Sequence, residues 1–370
     1  MQVILYSTAS RISCALTIAA MMVMTATAQA APAPRRERPA MVTAESDAAV
    51  AKGLAFLASS QHTDGHWSAG SGYGGGYPTA MTSLAGLALL SAGNTPLEGR
   101  YALNVRRATD FLIKIAKRNR SGSARGLIAN LGESRSCMHG HGFAMLFLAE
   151  VYGMERDISR QAKLKRVLQR AVELTARSQS SRGGWYYTPN SSSDEGSVTV
   201  TQIQGIRACR NAGIKTPKKL IAKACDYLAK CSNPDGSINY SFSSRSRGRP
   251  PLTAAAVATL YNAGEYDNPV AIKSLENLKK LVKLGGSASL GGGHRFYTIF
   301  YAAQAMYLSA DDGKNKDNWT MYFPGCRDNL VKTQQSNGSW MGDSVGATYG
   351  TAIAIVTLQL PYGYLPIFQR

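Results

Sequence analysis

The sequence predicts an all-α protein whose helices form a closed double ring, an (α/α)6 toroid. One observation is a loop motif, Gln-x-x-x-Gly-x-Trp, that recurs along the chain, and recurrence is typical of repeat architectures. The other is a regular alternation between helices with a charged face and helices that are largely uncharged. A helix without a polar face has to be buried on all sides. We therefore expect an inner ring of apolar helices wrapped by amphipathic ones.

The N-terminal residues have the features of an export signal. Arg11 precedes an apolar stretch over 12–24, and Ala28-Gln29-Ala30 matches an A-x-A cleavage site. We predict a signal peptide over 1–30, a Pro- and Arg-rich disordered lead-in over 31–46 and one toroid domain over 47–370. A retained anchor is the alternative, although the apolar stretch is short for a spanning helix of about 20 residues. The expected location is the periplasm, the cell envelope or the extracellular space.

The alternation of helix types then runs through the chain. Amphipathic helices are predicted over 48–59, 100–118, 160–178, 217–230, 269–284 and 325–334. Largely uncharged helices are predicted over 79–92, 143–152, 198–212, 252–263, 295–309 and 347–360. Pro78 suits a first helical turn, and Gly153 and Gly213 suit helix ends. The Thr and Gln residues of 198–212 need hydrogen-bond partners or a wet cavity.

An open superhelix of helix pairs would show the same alternation. Such a superhelix needs terminal repeats with a polar outer face. The last predicted helix, 347–360, is too apolar for that position. The closed ring is therefore the preferred architecture.

The recurring loop carries a family resemblance. The motif occurs at 61–67, 179–185 and 334–340, and Ser232-Asn-Pro-Asp-Gly-Ser-Ile238 looks like a degenerate fourth copy. It resembles the QW repeat of squalene–hopene cyclases and related terpene cyclases, whose toroid is shared with protein prenyltransferase β subunits. The resemblance covers essentially the whole mature chain. It implies the toroid fold and a structural role for the Gln and Trp, whereas activity has to be argued from the site.

The predicted ring places the N-termini of the inner helices around one end of a central cavity. These ends carry partial positive charge and unpaired N–H groups, which favour anions. The candidate ligand-binding residues are at or near these positions: Tyr77, His139, His294, Arg295, Tyr297, Tyr301 and Tyr349. The candidate catalytic residues are Asp194, Glu195 and His141.

The resemblance to terpene cyclases implies a proton-initiated reaction in an aromatic cavity that stabilises carbocations. That family uses an Asp-x-Asp-Asp motif at the start of an inner helix, and this sequence lacks it. Ser193-Asp194-Glu195-Gly196 occupies a comparable place but supplies only two adjacent acids. Catalytic turnover is therefore in doubt, and capping of the following helix is the alternative role of this pair.

Two further site chemistries bear on the predicted cavity, a zinc site and a polysaccharide lyase. The prenyltransferase branch needs a zinc site, but Cys137-x-His139-x-His141 brings its members together only in an extended chain, so we predict no metal and no cofactor. His141 would then be a structural residue that hydrogen-bonds a Tyr or Glu150. A polysaccharide lyase needs groups that neutralise a uronate and abstract a proton. His141, His294, Arg295, Tyr297 and Tyr301 supply such groups, although nothing local resembles a lyase motif.

The charge balance points to acidic partners. Lys and Arg number 42 against 23 Asp and Glu, a net charge of +19. The basic patches, such as Lys215, Lys218 and Lys219, are not interleaved with aromatic residues, so no specific nucleic-acid binding is expected. The hypothesis is an exported toroid whose cavity binds an apolar or polyisoprenoid-like ligand, or else an acidic envelope polymer. Contact with a membrane surface is left open.

Overall fold

Twelve α-helices make up most of the described chain. The computed structural model describes residues 37–70, 76–133, 137–244, 248–285, 294–310 and 314–369, so the predicted signal peptide lies outside the described residues. Within these ranges no helix is long and apolar enough to cross a membrane. The helices are α1 Ala44–Ser60, α2 Pro78–Ser91, α3 Ala102–Arg118, α4 Cys137–Met154, α5 Ile158–Arg177, α6 Gly196–Asn211, α7 Lys218–Lys230, α8 Pro250–Ala263, α9 Pro269–Gly285, α10 Arg295–Ser309, α11 Asp317–Thr333 and α12 Ala347–Gln359.

The even-numbered helices form an inner ring. Each packs against the next along the chain, and α12 packs against α2, which closes the ring. The odd-numbered helices lie outside them, with α1 on α12, α3 on α2 and α5 on α4. This arrangement confirms the predicted (α/α)6 toroid. The open superhelix does not apply, because its first and last repeats would not meet.

Side-chain burial explains the two rings. All residues of α2 from Thr79 to Ser91 are buried, whereas α3 buries one face and exposes its Lys and Arg side chains. The two Gln side chains of α6 bond to other inner helices. Gln202 Nε2 donates to the Met138 carbonyl at 2.6 Å, and Gln204 Nε2 donates to Gln304 Oε1 at 2.8 Å. Polar groups without such partners would be costly here.

The motif loops tie three helices together. Trp185 is fully buried; its Nε1 donates to the Thr175 carbonyl of α5 at 2.8 Å, and its backbone N–H donates to Thr199 Oγ1 of α6 at 3.0 Å. Gln179 Nε2 donates to the Leu220 carbonyl of α7 at 3.0 Å. Equivalent bonds recur in the other two loops that contain a Trp. Each loop therefore joins two successive outer helices to the inner helix between them.

A further loop of the same design lies before α4, and the sequence motif missed it. Asn119 Nδ2 takes the place of the Gln and donates to the Leu127 and Ala129 carbonyls at 2.8 and 2.9 Å. The backbone N–H of Ile128, in the Trp position, donates to His141 Nδ1 at 3.0 Å. In the other loops the backbone N–H at the Trp position donates to a Thr hydroxyl near the start of the inner helix. The degenerate copy keeps this bond, since the Ile238 N–H donates to Thr253 Oγ1 at 3.1 Å.

Some predicted boundaries were wrong. Helix α11 begins at Asp317, not at 325, and Pro324 lies inside it, because the buried side chains of Trp319 and Phe323 keep this segment helical against the cost of proline. Helix α4 continues past Gly153 to Met154. Helix α1 begins at Ala44, inside the predicted disordered lead-in, because Thr43 and Ser46 cap each other reciprocally.

Three of the cysteines belong to the buried core. Cys209, Cys225 and Cys231 are buried and carry no disulfide in the described structure. Burial raises the pKa of the Cys225 thiol to about 12 and that of Cys231 to about 11. These thiols therefore behave as small apolar core groups.

The C-terminal segment closes one end of the ring. Its two short 3-10 turns, Leu360–Tyr362 and Pro366–Phe368, pack against inner helices α6, α10 and α12. Phe368 is buried and meets Phe300 of α10 edge to face, with ring centroids 6.2 Å apart. Since this segment follows the C-terminus of α12, the interior is left accessible from the end where the inner helices begin.

Candidate functional site

A central cavity of about 1190 Å³ lies inside the inner ring. Its volume exceeds the range of about 300–1,000 Å³ that is usual for small-molecule pockets. The cavity is lined by the starts of α2, α4, α6, α8, α10 and α12 and by the loops before them. His294, Arg249 and Ser344 are exposed members of the lining, so the mouth opens among them.

The wall near the mouth is aromatic and polar. Among the described residues, six tyrosines and two histidines line the cavity: Tyr77, Tyr186, Tyr187, Tyr240, Tyr297, Tyr349, His139 and His294. The hydroxyl groups of Tyr187 and Tyr240 are hydrogen-bonded to each other, and the Arg249 guanidinium lies 5.1 Å from the centroid of the Tyr240 ring. A ligand at this level meets ring faces, hydroxyl groups and the Arg249 guanidinium.

The floor is apolar. Leu84, Phe143 and Ile353 occupy the seventh residue of their helices and Phe300 the sixth, and all four line the cavity. A helix rises 1.5 Å per residue, so these side chains lie roughly 6–9 Å deeper than the first helical residues. A long ligand that enters from the mouth therefore passes from polar groups into hydrocarbon.

His139 joins the cavity to α6. Its Nε2 lies 3.0 Å from Ser197 Oγ, and burial lowers the pKa of His139 to about 4. The imidazole is therefore neutral at pH 7. Because it is neutral, His139 contributes a hydrogen-bonding group to the cavity and no positive charge.

Among the described residues, Asp343 supplies the one carboxylate of the cavity lining. Its two oxygens accept the backbone N–H groups of Arg295 and Phe296, each at 3.0 Å, so it caps the N-terminus of α10. Asp343 holds a left-handed backbone conformation with φ 49°, which an Asp tolerates better than most residues. Loss of hydration raises the pKa of Asp343 above its ordinary value. The sequence analysis missed this residue, since it precedes the predicted helix 347–360 in a loop.

The predicted acid pair does not line the cavity. Glu195 is fully buried, and its carboxylate accepts the backbone N–H of Ser197 at 2.8 Å and that of Val198, so it caps α6. Burial raises the pKa of Glu195 to about 7. Asp194 points the other way and accepts from Arg182 Nε at 2.8 Å and from Ser180 Oγ at 3.0 Å. Both acids thus have structural partners.

His141 also lies outside the cavity lining. Its Nδ1 accepts the N–H of Ile128, and its Nε2 lies 3.0 Å from Thr175 Oγ1 on α5. The expected partners, a Tyr or Glu150, are not among these contacts. Burial lowers the pKa of His141 to about 4, so the ring is neutral. It performs the loop-anchoring contact that a Thr makes in the other repeats.

Five of the seven predicted ligand-binding residues line the cavity, and the others do not. Those in the lining are Tyr77, His139, His294, Tyr297 and Tyr349. The Arg295 guanidinium instead bonds Asn329 on α11, and Tyr301 is fully buried beside Tyr297, with ring centroids 4.7 Å apart. Within the described ranges, no group of His, Cys, Asp and Glu is arranged to hold a metal ion.

The residues that the prediction missed come mostly from loops just before inner helices. They are Tyr186, Tyr187 and Tyr240 on the wall, Arg249 at the mouth, and Phe143 and Phe300 on the floor. A rule that included the loop before each inner helix, and the residue two turns into it, would have found them.

Comparison with known proteins identifies relatives in structure. No protein-family model and no curated protein matches the chain in sequence. The type II terpene cyclase MstE from Scytonema superposes with a TM-score of 0.55 at 15% identity, covering 87% of this chain and 99% of its own. The GH76A α-1,6-mannanase from Salegentibacter gives 0.61 at 10% identity, covering 85% and 98%. A protein from Actinoplanes gives 0.56 at 17% identity, covering 86% and 99%. These likenesses establish the fold: the chain is an α/α toroid of the type found in terpene cyclases.

Proposed function

We propose that the central cavity binds an apolar, polyisoprenoid-like ligand and does not turn it over. The observation that carries this proposal is the apolar floor beneath an aromatic wall, in a cavity where the carboxylate of the described lining, Asp343, is engaged in capping a helix. Burying hydrocarbon on that floor is favourable by about 25 cal/mol for each Å² removed from water. The likeness to MstE, which is described in complex with geranylgeranyl dihydroxybenzoate, supports this class of ligand at the level of the fold.

The orientation of the ligand follows from the gradient of polarity. The hydrocarbon end lies against Leu84, Phe300 and Ile353, and a polar or anionic head group lies at the mouth beside Arg249 and His294. Arg249 is exposed, so a head group placed there keeps part of its hydration. This arrangement fits an alcohol or a phosphate better than a pure hydrocarbon.

The proposed absence of turnover is argued from the carboxyl groups of Glu195 and Asp343. Protonation of an alkene needs a carboxylic acid within reach of the bound ligand. Glu195 accepts hydrogen bonds from the start of α6 and has no exposed surface, and Asp343 accepts two from the start of α10. Neither carboxyl group presents a free acidic proton to the cavity.

A binding experiment tests the proposal. Native mass spectrometry of the purified protein with geranylgeraniol and geranylgeranyl phosphate should give a one-to-one complex. Met81 faces the cavity, whereas Met341 is 55% exposed on the surface. Met81→Trp fills the cavity and should weaken binding at least tenfold, while the matched change Met341→Trp should leave it unchanged.

Two outcomes would refute the proposal. Equal affinity for the two tryptophan variants would place the ligand outside the cavity. Formation of a cyclised product from squalene would refute the absence of turnover.

An acidic polysaccharide is a second candidate ligand, favoured by the tyrosine faces and the Arg249 side chain at the mouth. The likeness to mannanases described in complex with α-1,6-mannotriose supports a carbohydrate ligand only through the fold. If the cavity acted as a lyase, uronate polymers would yield unsaturated ends that absorb in the ultraviolet. Without that absorbance, and with geranylgeraniol bound, the first candidate stands.

A further inference from the structure

A strongly basic groove lies on the outer wall of the ring, between α3 and α5. Two adjoining depressions, of about 310 and 290 Å³, share Ile113, Lys117 and Lys163 and so form one continuous groove. Seven exposed cationic residues line it, and we call this set the basic groove: Lys114, Lys117, Arg118, Arg120, Lys163, Arg166 and Arg170.

The geometry of the two helices sets the charges in rows. Arg160 of α5 bonds Asp110 of α3 at 2.8 Å, an offset of 50 residues. Arg120 and Arg170, which share the other depression, keep the same offset, so the two helices run in the same direction. Intervals of three or four residues separate Lys114 and Lys117 on α3 and also Lys163, Arg166 and Arg170 on α5, which places them on one face of each helix. The result is two rows of positive charge along about 10 Å of groove.

These charges are left without acidic partners in the described part of the chain. The ion pairs there include none of the seven residues, and the lining acid, Asp110, is already paired with Arg160. Like charges this close repel one another and destabilise the free protein. An anionic ligand that lies along the groove would relieve that repulsion.

We propose that the basic groove binds a linear anionic polysaccharide, independently of the central cavity. A groove between two adjacent helices, whose axes lie about 8–10 Å apart, has room for a single chain and not for a nucleic-acid duplex. Single-stranded nucleic acid is bound largely by stacking of bases on aromatic side chains. The groove lining, as far as the structure describes the chain, includes no aromatic side chain.

A membrane surface fits the groove less well. Peripheral membrane helices insert protruding apolar side chains among the lipids. The apolar side chains of this groove do not protrude, because Ile113 and Ala116 are buried and Val167 is half-buried. The exposed apolar side chains of the two helices, Leu103 and Ile158, lie near their N-terminal ends and outside the groove lining. A recessed floor with cationic walls suits a chain that carries its own charges and hydroxyl groups.

Charge reversal with a matched control tests the proposal. The probes are a heparin oligosaccharide, which carries sulfates, and an oligogalacturonate, which carries carboxylates, so that the two sources of charge are told apart. The test variant is Lys117→Glu with Lys163→Glu. The control is Lys218→Glu with Lys219→Glu, which makes the same change in net charge at exposed positions of α7.

The expected result is a loss of affinity of at least tenfold for the groove variant and of less than twofold for the control. The salt dependence of binding should also become shallower in the groove variant, because fewer charge contacts remain to be screened. Dextran, which is uncharged, should not bind. Met81→Trp alters the central cavity and should leave oligosaccharide binding to the groove unchanged. The groove proposal and the cavity proposal can therefore be refuted independently of each other.

Three results would overturn the proposal. One is an equal loss for both double variants, which would make binding a property of overall charge. The second is binding of neither oligosaccharide by the unaltered protein. The third is tighter, groove-dependent binding of single-stranded DNA or of anionic phospholipid vesicles. The substituted residues are exposed, so unchanged helix content and melting temperature should accompany each measurement.

Discussion

Glu150 is a buried acid whose ionisation should weaken the fold above neutral pH. It lies near the end of α4 with 7% of its surface exposed, and its carboxyl accepts the backbone N–H of Ile367 in the C-terminal segment that closes the ring. Burial is the main cause that raises its pKa from the ordinary 4.5 to about 7, and the hydrogen bond from Ile367 opposes this rise. The folded protein therefore holds this proton more tightly than the unfolded chain does.

The sign and size of the effect follow from this difference. The contribution of Glu150 to stability is fully present below pH 4.5 and is lost as the pH rises through about 7. Each pH unit between the two pKa values corresponds to about 1.4 kcal/mol, so the loss is about 3 kcal/mol by pH 8. Glu150→Gln keeps the shape and the acceptor for Ile367 but cannot ionise. This variant should match the unaltered protein at pH 4 and be more stable by about 3 kcal/mol at pH 8.

Urea denaturation at a series of pH values measures the effect, because the free energy of unfolding extrapolates linearly to water. Glu98, in the loop after α2, is exposed and gives the matched control: Glu98→Gln should leave the pH dependence unchanged. Glu195 titrates in both proteins and cancels from their difference. A Glu150→Gln variant that is less stable at pH 8, or that runs parallel to the unaltered protein throughout, would refute the reasoning.

Three further changes test the repeat loops by denaturant unfolding. A Cβ at Gly183, where φ is 106°, would lie 2.2 Å from the Lys223 carbonyl oxygen, so Gly183→Ala should cost more than 3 kcal/mol of stability. Gly213 has φ 76° and open space around it, so Gly213→Ala should cost only about 1 kcal/mol. Similar losses in the two variants would contradict the steric argument. Trp185→Phe removes the donor to the Thr175 carbonyl and should cost about 1–3 kcal/mol, and no loss would show that this bond is dispensable. His141→Ala should cost a similar amount through the unpaired Ile128 N–H, while His141→Thr should recover part of it; an unchanged stability in the alanine variant would exclude the anchoring role.

The fold could be predicted because the apolar or amphipathic composition of a whole helix shows how much of its surface has to be buried. The segment from Thr79 to Ser91 has no charged residue, so it had to lie inside. Six largely uncharged segments, with an apolar one at the C-terminal end, favour a closed ring over an open superhelix. Boundaries were less predictable where packing outweighs local preference, as at Pro324. The loop with Asn119 escaped detection because its sequence lacks both the Gln and the Trp, although the backbone N–H in the Trp position is still held, here by His141.

The candidate site was only partly predictable, because a residue's position near a helix start does not by itself say whether its side chain points into the cavity. Tyr77, His139 and Tyr349 sit at helix starts and do reach the cavity. His141 is two residues beyond His139, about 200° further around the helix axis at 3.6 residues per turn. That rotation turns His141 towards the outer helix and Thr175. Sequence proximity to a site residue therefore does not predict membership of the site.

The same geometry explains why an adjacent pair of acids cannot serve the cavity together. Glu195 precedes α6 in an extended conformation, with φ −154° and ψ 161°, and neighbouring side chains of an extended chain point in opposite directions. Once Glu195 turns in to cap the helix, Asp194 must turn away, and it meets Arg182 and Ser180. A carboxyl group that reaches the ligand would have to come from another element. Asp343 is placed for this, since it lines the cavity, but its two oxygens are held by the first N–H groups of α10. Glu195 and Asp343 thus each stabilise a helix end, and this is the basis of our proposal that the cavity binds a ligand without turning it over.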